Sequence, residues 1–454
     1  MPEWSIGAVS KTVVPSRVPR VRIPVSPQIK CDIMIRIARE YISITKIIQK
    51  DAWNFLIGNF FAGFGFTGFS LLFNLYLKAA GRGEGAIGNI LSVGTYATVL
   101  FIFPAAYLVK KISIRPVMLV VPVLMSLGYA IAIQAETLQA VMIGIAIAGT
   151  AGAFSSVIGG PLLMQSSGEI ERTHLFSINH AVALLSGVSG NLVAGSLPDL
   201  LGKMGVQAAS GYRFAIFAHL IIALVSLFFY SKIKVRHISF SGSGNGEKKF
   251  SLNLKTPKKL LAYLAIPPMT VGLGAGMTIP FLNLYFKTRF SLDANNIGML
   301  FALAQLFTIG GALVAPLLAK RFGKIMSVIM SQVFSLPFLF ILGISHYLPL
   351  AIIAFLVRNA LMNMSAPISS NFSMEAVHPD DRSITSGLLS LAWLFTWGIT
   401  ANVGGYLIEH TGYILPFAFT MIFYIISSYL YFKLLYPIEK DKTSIPEGIK
   451  EEFM

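Results

Sequence analysis

Charged residues are scarce in this chain of 454 residues, of which only 12% are Asp, Glu, Lys or Arg. Soluble globular proteins carry about a quarter. Apolar residues make up 55% of the chain, and the mean hydropathy is +0.70. Apolar runs of about 20 residues, long enough to cross a hydrocarbon core of about 30 Å, recur along almost the whole chain. A soluble enzyme is therefore excluded, and the composition predicts an all-α integral membrane protein.

Cysteine and clustered histidine are also scarce. Cys31 is the single cysteine and the seven His are scattered, so an intramolecular disulfide and a Cys/His metal site are excluded. No P-loop or Ser-His-Asp arrangement occurs, and the loops are too short for a catalytic domain. The sequence predicts no cofactor, no metal and no enzymatic activity. The net charge is +16, and the charged residues lie mainly in the short connections between apolar runs. This placement argues against a nucleic-acid partner.

The apolar runs predict twelve transmembrane helices in two six-helix halves. The domains are a tail (1–52), a first half (53–232), a polar linker with SGSGNGEKK (233–259), a second half (260–436) and a second tail (437–454). The predicted spans are 53–77, 86–109, 115–134, 138–164, 176–198 and 212–232, followed by 260–286, 294–319, 325–344, 348–374, 384–408 and 413–436.

The distribution of Lys and Arg predicts the orientation, because positively charged loops stay in the cytoplasm. If the N-terminus is inside, the inside segments carry 29 of these residues and the outside loops carry 6, with Arg358 lying within a span. Both termini and the linker are therefore expected in the cytoplasm, and the protein in the cell membrane. Residues 1–33 are basic and broken by Pro, and a start at Met34 is an alternative.

The two halves repeat one another at an offset of about 210 residues. Asn-Leu-Tyr-Leu-Lys at 74–78 matches Asn-Leu-Tyr-Phe-Lys at 283–287, and Gly88 matches Gly298. Lys-Lys at 110–111 matches Lys-Arg at 320–321, and Glu-Arg at 171–172 matches Asp-Arg at 381–382. Two tandem halves in the same orientation are related by an axis along the membrane normal, with a cavity between them near the midplane.

On these features, residues 50–436 resemble the major facilitator superfamily. The superfamily has a loop motif G-x-L-x-D-R-x-G-R-K between its second and third helices. The second half offers LLAKRFGK at 317–324, and the first half offers LVKKISIR at 108–115. The resemblance implies rocking-type alternating access, a small-molecule substrate, the lipid bilayer as environment and a monomeric state.

Lys replaces the Asp of this motif in both halves, at Lys110 and Lys320. The family's Asp is thought to bridge the halves at the cytoplasmic side, which a Lys cannot do. Two interpretations follow: another acid, such as Glu171 or Asp381, takes this role, or the cytoplasmic closure is weaker here. The resemblance identifies the gate residues as Lys110, Lys320, Arg321, Glu171, Arg172, Asp381 and Arg382.

Arg358 is the leading candidate for substrate binding. It lies about ten residues, or roughly 15 Å, inside its span. A charge there costs at least about 2.5–3.5 kcal/mol on insertion scales and is rarely kept without a cavity or a partner. The functional interpretation is a cavity cation that meets an anionic substrate group. The structural interpretation is a buried Arg that binds carbonyls or another helix.

Polar residues within the other spans supply further candidates. Asn74, Tyr76, Asn283 and Tyr285 lie at the outer ends of two helices that line the cavity in the superfamily, but Tyr at an interface is also a common membrane anchor. Asn59, Asn191, Gln305 and Asn402 fit either cavity contacts or interhelical hydrogen bonds. His180 and Glu375 are candidates for proton coupling. The small-residue stretch at 144–153 predicts close helix packing.

The function favoured by the sequence is secondary transport of a small organic solute, with efflux of an amphipathic or anionic compound preferred. Arg358 and the 34 Phe and 17 Met, which suit a permissive apolar cavity, support this prediction. Uptake of a metabolite or sugar is the alternative within the class. A non-transporting membrane sensor on the same scaffold is the alternative outside it. The coupling ion, a proton or none, stays open.

Overall fold

The computed structural model describes residues 49–166, 169–234 and 254–444. These residues form twelve helices long and apolar enough to cross a membrane. The first half contains α1 (Lys50–Ala79), α2 (Glu84–Lys111), α3 (Ile114–Gln134), α4 (Leu138–Gln165), α5 (Glu169–Lys203) and α6 (Ala208–Leu224 and Ser226–Tyr230). The second half contains α7 (Lys258–Thr278, a 3₁₀ turn at Ile279–Phe281, and Leu282–Phe290), α8 (Ala294–Phe322), α9 (Lys324–Ile344), α10 (Leu348–Ala376), α11 (Arg382–Thr411) and α12 (Ile414–Leu430, a π-helical turn at Tyr431–Leu435, and Tyr436–Ser444).

The twelve predicted spans are confirmed, and the two-half arrangement with them. Most helices extend a few residues beyond the apolar runs, because polar residues at a membrane interface can still be helical. The last span ends at Ser444 rather than 436, and the first begins at Lys50. Residues 1–48 and most of the linker, 235–253, lie outside the described residues.

Both halves pack their helices in the same pairs. In the first half α1 packs on α5 and α6, and α4 packs on α2 and α3. In the second half α7 packs on α11 and α12, and α10 packs on α8 and α9. The small residues of α4 allow the close approach: a Cβ on Gly149 would lie 2.2 Å from the carbonyl oxygen of Gly94, and one on Gly144 would lie 2.5 Å from that of Gly128. The predicted packing role of this stretch is confirmed.

The halves meet mainly at one end of the bundle, which we call the sealed end. It is the end at which α2 and α8 begin. Three helix pairs join the halves there: α1 with the last segment of α7, α2 with α11, and α5 with α8. A Cβ on Gly88 would lie 2.6 Å from the carbonyl oxygen of Ala401, and one on Gly298 would lie 2.5 Å from that of Asn191. These glycines therefore let backbones touch across the halves.

The opposite end, where α4 and α10 end, is called the open end. Within the described ranges, no extensive packing joins α4 to α10 there. Residues close to this end line cavities instead, including Leu163 on α4 and Ser373 on α10. The helices thus enclose a central space that narrows toward the sealed end.

Candidate functional site

Two adjoining cavities lie between the helices, and we call them the first lobe and the second lobe. The first lobe has a volume of about 730 Å³ and is lined mostly by the first half. The second has a volume of about 580 Å³ and is lined by the second half. Ile279, Leu394 and Trp397 line both lobes. A solute can therefore contact the two halves at once, which alternating access requires.

Aromatic side chains form much of the wall of the first lobe. Phe69 stacks on Tyr129 with ring centroids 3.6 Å apart and on Phe73 at 4.6 Å, and Phe66 meets Tyr129 edge-on at 6.0 Å. Among the described residues that line this lobe, none carries a formal charge. Its polar groups are side-chain hydroxyls and amides. The first lobe therefore suits an apolar or aromatic group.

Arg358 lines the second lobe and is the only charged residue among those described on the wall of either lobe. Its side chain is 4% exposed. Nη2 donates a hydrogen bond of 2.7 Å to the hydroxyl of Tyr424, whose ring centroid lies 5.9 Å from the guanidinium carbon. Nε is buried and has no hydrogen-bond partner within the described chain. The guanidinium is therefore held in place by one neutral group and is not neutralised by any acid of the cavity wall.

Polar residues around Arg358 fix the shape of the second lobe. Asn359 donates hydrogen bonds to the hydroxyl of Thr308 at 2.8 Å and to the carbonyl of Ala304 at 3.1 Å. Asn363 donates in turn to the carbonyl of Asn359 at 2.8 Å. The remaining polar wall is built from Gln332, Ser365, Ser369, Ser370 and Ser373.

Two tryptophans complete this wall. Trp393 and Trp397 are stacked with centroids 6.3 Å apart. Sequence reasoning missed both, together with Asn359 and Asn363. The spacing of four residues, which puts two side chains on one helix face, is a signal that could have found the tryptophan pair.

Asn74 and Asn283 lie on the wall of the first lobe, and their amides join the halves. Asn74 Nδ2 donates to the carbonyl of Pro280 at 2.7 Å, and Asn283 Nδ2 donates to the carbonyl of Leu71 at 2.7 Å. The side-chain oxygen of Asn283 also accepts a hydrogen bond of 2.9 Å from the N–H of Leu284, which helps to orient this amide. The two predicted ligands therefore line the first lobe and also hold α1 against α7.

Tyr76 and Tyr285 are buried and occupy matching places within their own halves. The hydroxyl of Tyr76 donates to the carbonyl of Ile133, and that of Tyr285 donates to the carbonyl of Leu342, both at 2.6 Å. Neither residue lines a lobe. The structure thus gives each hydroxyl an interhelical hydrogen bond and places both outside the site around Arg358.

The other predicted polar residues are dispersed. Asn59 donates to Asn179 at 2.9 Å in a smaller cavity of about 360 Å³ within the first half. Asn191 lines the first lobe. Gln305 of α8 lies against Gly187 of α5. Asn402 of α11 donates a hydrogen bond to Asn89 of α2.

The predicted gate and coupling residues lie toward the open end, and Glu375 and Arg382 bind groups of their own half. Glu375 pairs with Lys324, and Arg382 Nε donates to the carbonyl of Met374 at 2.9 Å. Exposed side chains are found at His180, Lys320 and Arg321. The side chains of Lys110, Glu171 and Arg172 lie outside the described part of the structure.

Asp381 binds the segment that precedes α7. Its carboxylate accepts a hydrogen bond from the backbone N–H of Thr256 at 2.6 Å. Hydrogen bonding from Thr256, with its side chain contributing most, holds the pKa of Asp381 below its usual range. The neighbouring Asp380 pairs with Lys255 at 2.6 Å, and this hydrogen-bonded carboxylate raises the pKa of Lys255. Both acids therefore connect parts of the second half.

Comparison with solved structures gives the same fold. The nucleoside transporter NupG, in a point-mutant form, is 13% identical with a TM-score of 0.70, covering 85% of this chain and 100% of that one. A bacterial homolog of the human lysosomal transporter Spinster is 12% identical with a TM-score of 0.68, covering 84% and 96%. A bacterial homologue of the iron transporter ferroportin is 15% identical with a TM-score of 0.68, covering 85% and 98%.

No curated protein matches the chain. The sequence model of the Major Facilitator Superfamily matches residues 55–268 and 264–452, which together span most of the chain. The sequence match identifies the family, and the twelve helices have the fold of solved transporters. The chain belongs to the Major Facilitator Superfamily of membrane transporters.

Proposed function

We propose that this protein is a secondary transporter that exports an amphipathic organic anion from the cytoplasm. The open end is the cytoplasmic end, since the loops there carry most of the Lys and Arg and positively charged loops stay inside. The site is then filled from the cytoplasm. Binding uses Arg358 for the anionic group and the aromatic wall of the first lobe for the apolar group.

The uncompensated charge of Arg358 is the observation that carries this proposal. A buried ion is costly unless it is paired and hydrogen-bonded. Among the described residues, Arg358 has only the neutral Tyr424 as a hydrogen-bond partner, and its Nε has none. A carboxylate, sulfonate or phosphate group of a solute would supply the missing charge, and Arg binds such groups with paired hydrogen bonds.

The amphipathic character follows from the contrast between the adjoining lobes. The anion-binding lobe shares Trp397 with the aromatic lobe. A solute held at Arg358 therefore extends its apolar part toward Phe69 and Tyr129. Burial of that part contributes about 25 cal/mol for each Å² removed from water.

The direction follows from charge. An inside-negative membrane potential favours the outward movement of an anion by about 2.3 kcal/mol per charge for each 100 mV. Export of an anion thus needs no coupling ion. Neither lobe has a described wall residue with a carboxylate, so the proposal is a potential-driven anion uniporter and assigns no role to a proton.

Thermal stabilisation tests the binding step, because a ligand of the folded state raises its stability. The probes are 2-naphthoate, the neutral 2-naphthamide and the cationic 2-naphthylmethylamine. Naphthoate is expected to stabilise the wild type, and Arg358→Met is expected to weaken its binding at least about tenfold, since hydrogen bonds to charged groups contribute about 1.5–3 kcal/mol. Naphthamide is expected to bind both proteins equally.

Two control variants separate recognition from folding. Arg289→Met removes an arginine that binds the carbonyl of Ser345 outside the lobes, and it is expected to keep naphthoate binding. Tyr424→Phe removes the hydroxyl that holds the guanidinium but keeps the positive charge of Arg358, so it is expected to weaken naphthoate binding less than Arg358→Met does. Flux of naphthoate from proteoliposomes under an imposed potential then tests transport. Equal binding of naphthoate by wild type and Arg358→Met, or a preference for the amine, would contradict the proposal.

A further inference from the structure

We infer that Glu409 and Asp199 are gating residues, each of which crosses between the halves to bind the N-terminus of a helix and so holds the sealed end closed. Glu409 lies near the end of α11 and faces the start of α2. Asp199 lies near the end of α5 and faces the start of α8. This gate belongs to the conformational cycle and does not depend on which solute is carried.

Glu409 acts as a cap for α2 in place of a local residue. The residue before α2 is Gly83, which has no side chain to bind the first N–H groups of the helix. Glu409 Oε2 accepts a hydrogen bond of 2.7 Å from the N–H of Gly85. The first N–H groups of a helix have no partner within the helix and carry partial positive charge, so a carboxylate stabilises them.

The glycines around Glu409 form a space for its carboxylate. A Cβ on Gly83 would lie 2.4 Å from Oε1, and a Cβ on Gly85 would lie 2.7 Å from Oε2. Any side chain at these two positions would displace the carboxylate. The Gly-Glu-Gly sequence at 83–85 is therefore explained by an acid that comes from the other half.

Asp199 occupies the equivalent place in the internal repeat. Glu409 and Asp199 differ by the repeat offset of about 210 residues, as do Gly85 and Asn295. In the structure α5 packs on α8, and a Cβ on Gly195, one helical turn before Asp199, would lie 2.5 Å from the carbonyl oxygen of Ala294. Asp199 therefore lies close to the first turn of α8.

The second contact is expected to be the weaker of the two. Asp293 already caps α8 through the N–H of Asn296 at 2.7 Å. Asp199 therefore faces a helix end that has a local cap and a like charge. Glu409 faces a helix end that has no side-chain cap, and the acid in its first turn, Glu84, is paired with Lys78 at 2.7 Å.

Closely packed glycines surround both contacts and explain why a small opening would break them. Gly88 lies against Gly405, with the Cα of Gly405 3.2 Å from a Cβ built on Gly88. Gly298 lies against Gly195, with the Cα of Gly195 2.8 Å from a Cβ built on Gly298. Rotation of the halves that separates these backbones also moves each carboxylate away from its helix end. The acids therefore stabilise only the state in which the sealed end is closed.

The open end has no described equivalent. The superfamily's motif Asp is replaced by Lys110 and Lys320, and Asp381 binds Thr256 within its own half. Acidic contacts across the halves thus favour one of the two end states. The gate makes the state open to the cytoplasm the resting state of the empty protein.

Distances between spin labels test the gate without any substrate. With Cys31→Ser as background, cysteines at Glu136 and Tyr347 report the sealed end, and cysteines at Ile112 and Phe322 report the open end. Each pair joins exposed positions of different halves at the repeat offset. In nanodiscs the wild type is expected to give a short distance at the sealed end and a long one at the open end.

Glu409→Gln and Asp199→Asn remove the charge with little change in shape, and Gly85→Ala displaces the Glu409 carboxylate but keeps its charge. Each is expected to raise the ratio of sealed-end-open to sealed-end-closed molecules by about two- to fivefold, from the 0.3–1 kcal/mol typical of a charge at a helix end. The change is expected to be larger for Glu409→Gln than for Asp199→Asn, and the double variant to combine both.

Asp380→Asn is the matched control, because that acid pairs with Lys255 in the same half and is expected to leave both distances unchanged. Size-exclusion profiles and unfolding temperatures confirm that the variants are folded. Wild-type distances in the folded double variant and in Gly85→Ala would overturn the gate. Loss of naphthoate binding in Arg358→Met is measured separately, so failure of either proposal is recognised by itself.

Discussion

The two lobes of the central cavity come from repeated halves, yet they differ at the positions that carry chemistry. In the internal repeat, Ala148 and Gly149 of α4 correspond to Arg358 and Asn359 of α10. In the first half Gly149 lets α4 touch α2, and Ala148 lets it touch α3. In the second half the larger residues bring one charge and one amide to the cavity wall. A repeat can therefore keep its scaffold while one copy gains the residues proposed to recognise the solute.

The largest expected effect concerns the small residues of the first half. Gly149→Ala places a Cβ 2.2 Å from the carbonyl oxygen of Gly94, so the helices must separate. Overpacking of this kind costs about 1–3 kcal/mol of stability. Gly152→Ala is the control, since its Cβ would lie 3.8 Å from the nearest side-chain atom, in Thr98. Equal unfolding temperatures of the two variants would show that α4 does not depend on close packing.

The second prediction concerns the matching position of the second half. Asn359→Ala removes the hydrogen bonds to Thr308 and Ala304 that join α10 to α8. A loss of about 1–1.7 kcal/mol in unfolding free energy is expected, at the upper end of interhelical bonds in membranes. Asn363→Ala serves as the comparison because its bonds stay within α10. A larger loss for Asn363→Ala would contradict the tethering role of Asn359.

The third prediction tests a tyrosine hydrogen bond that both halves share. Tyr76→Phe and Tyr285→Phe each remove one hydrogen bond of 2.6 Å to a backbone carbonyl. Each variant is expected to lose about 1 kcal/mol of stability, and the double variant to lose the sum. Tyr347→Phe, at a residue 66% exposed, is expected to change nothing. Loss of naphthoate binding in either single variant with unchanged stability would instead support direct solute contact.

The smallest expected effect concerns acid stability in the second half. The pKa of Asp381 is lowered from its ordinary value of 3.8, so the folded state favours the carboxylate. Its contribution is present above that value and is lost as the pH falls through the lowered pKa. The difference in unfolding temperature between wild type and Asp381→Asn is therefore expected to shrink below about pH 4. A constant difference down to about pH 2.5 would contradict this role.

Much of the fold could be predicted because its signals are local. Each span is an apolar run of sufficient length, and the repeat appears as ordered pairs such as Gly88 with Gly298. The placement of Arg358 within a span also rests on one sequence feature, since it is a single charge within an apolar run. The contact of Glu409 at the sealed end could not be predicted in this way. Glu409 binds a helix end 324 residues away, and nothing near it in the sequence indicates that contact.

The partners of polar side chains could be predicted less well than helices, because neighbours in sequence can face different helices. Tyr76 and Asn74 look equivalent in sequence, being two residues apart in one motif. In the structure the first donates to a carbonyl of its own half and the second to a carbonyl of the other half. A helix turns by about 100° per residue, so two residues apart face different neighbours.

The sequence by itself determined that the chain spans a membrane twelve times, that its halves repeat and that one arginine lies among apolar residues. Hydrophobicity and length decide these features because each helix satisfies its own backbone hydrogen bonds in lipid. Only the tertiary structure decided which polar groups meet. It placed Arg358 beside Tyr424, joined Asn74 and Asn283 across the halves, and brought Glu409 to the glycines at the start of α2, because these contacts depend on how separate helices pack.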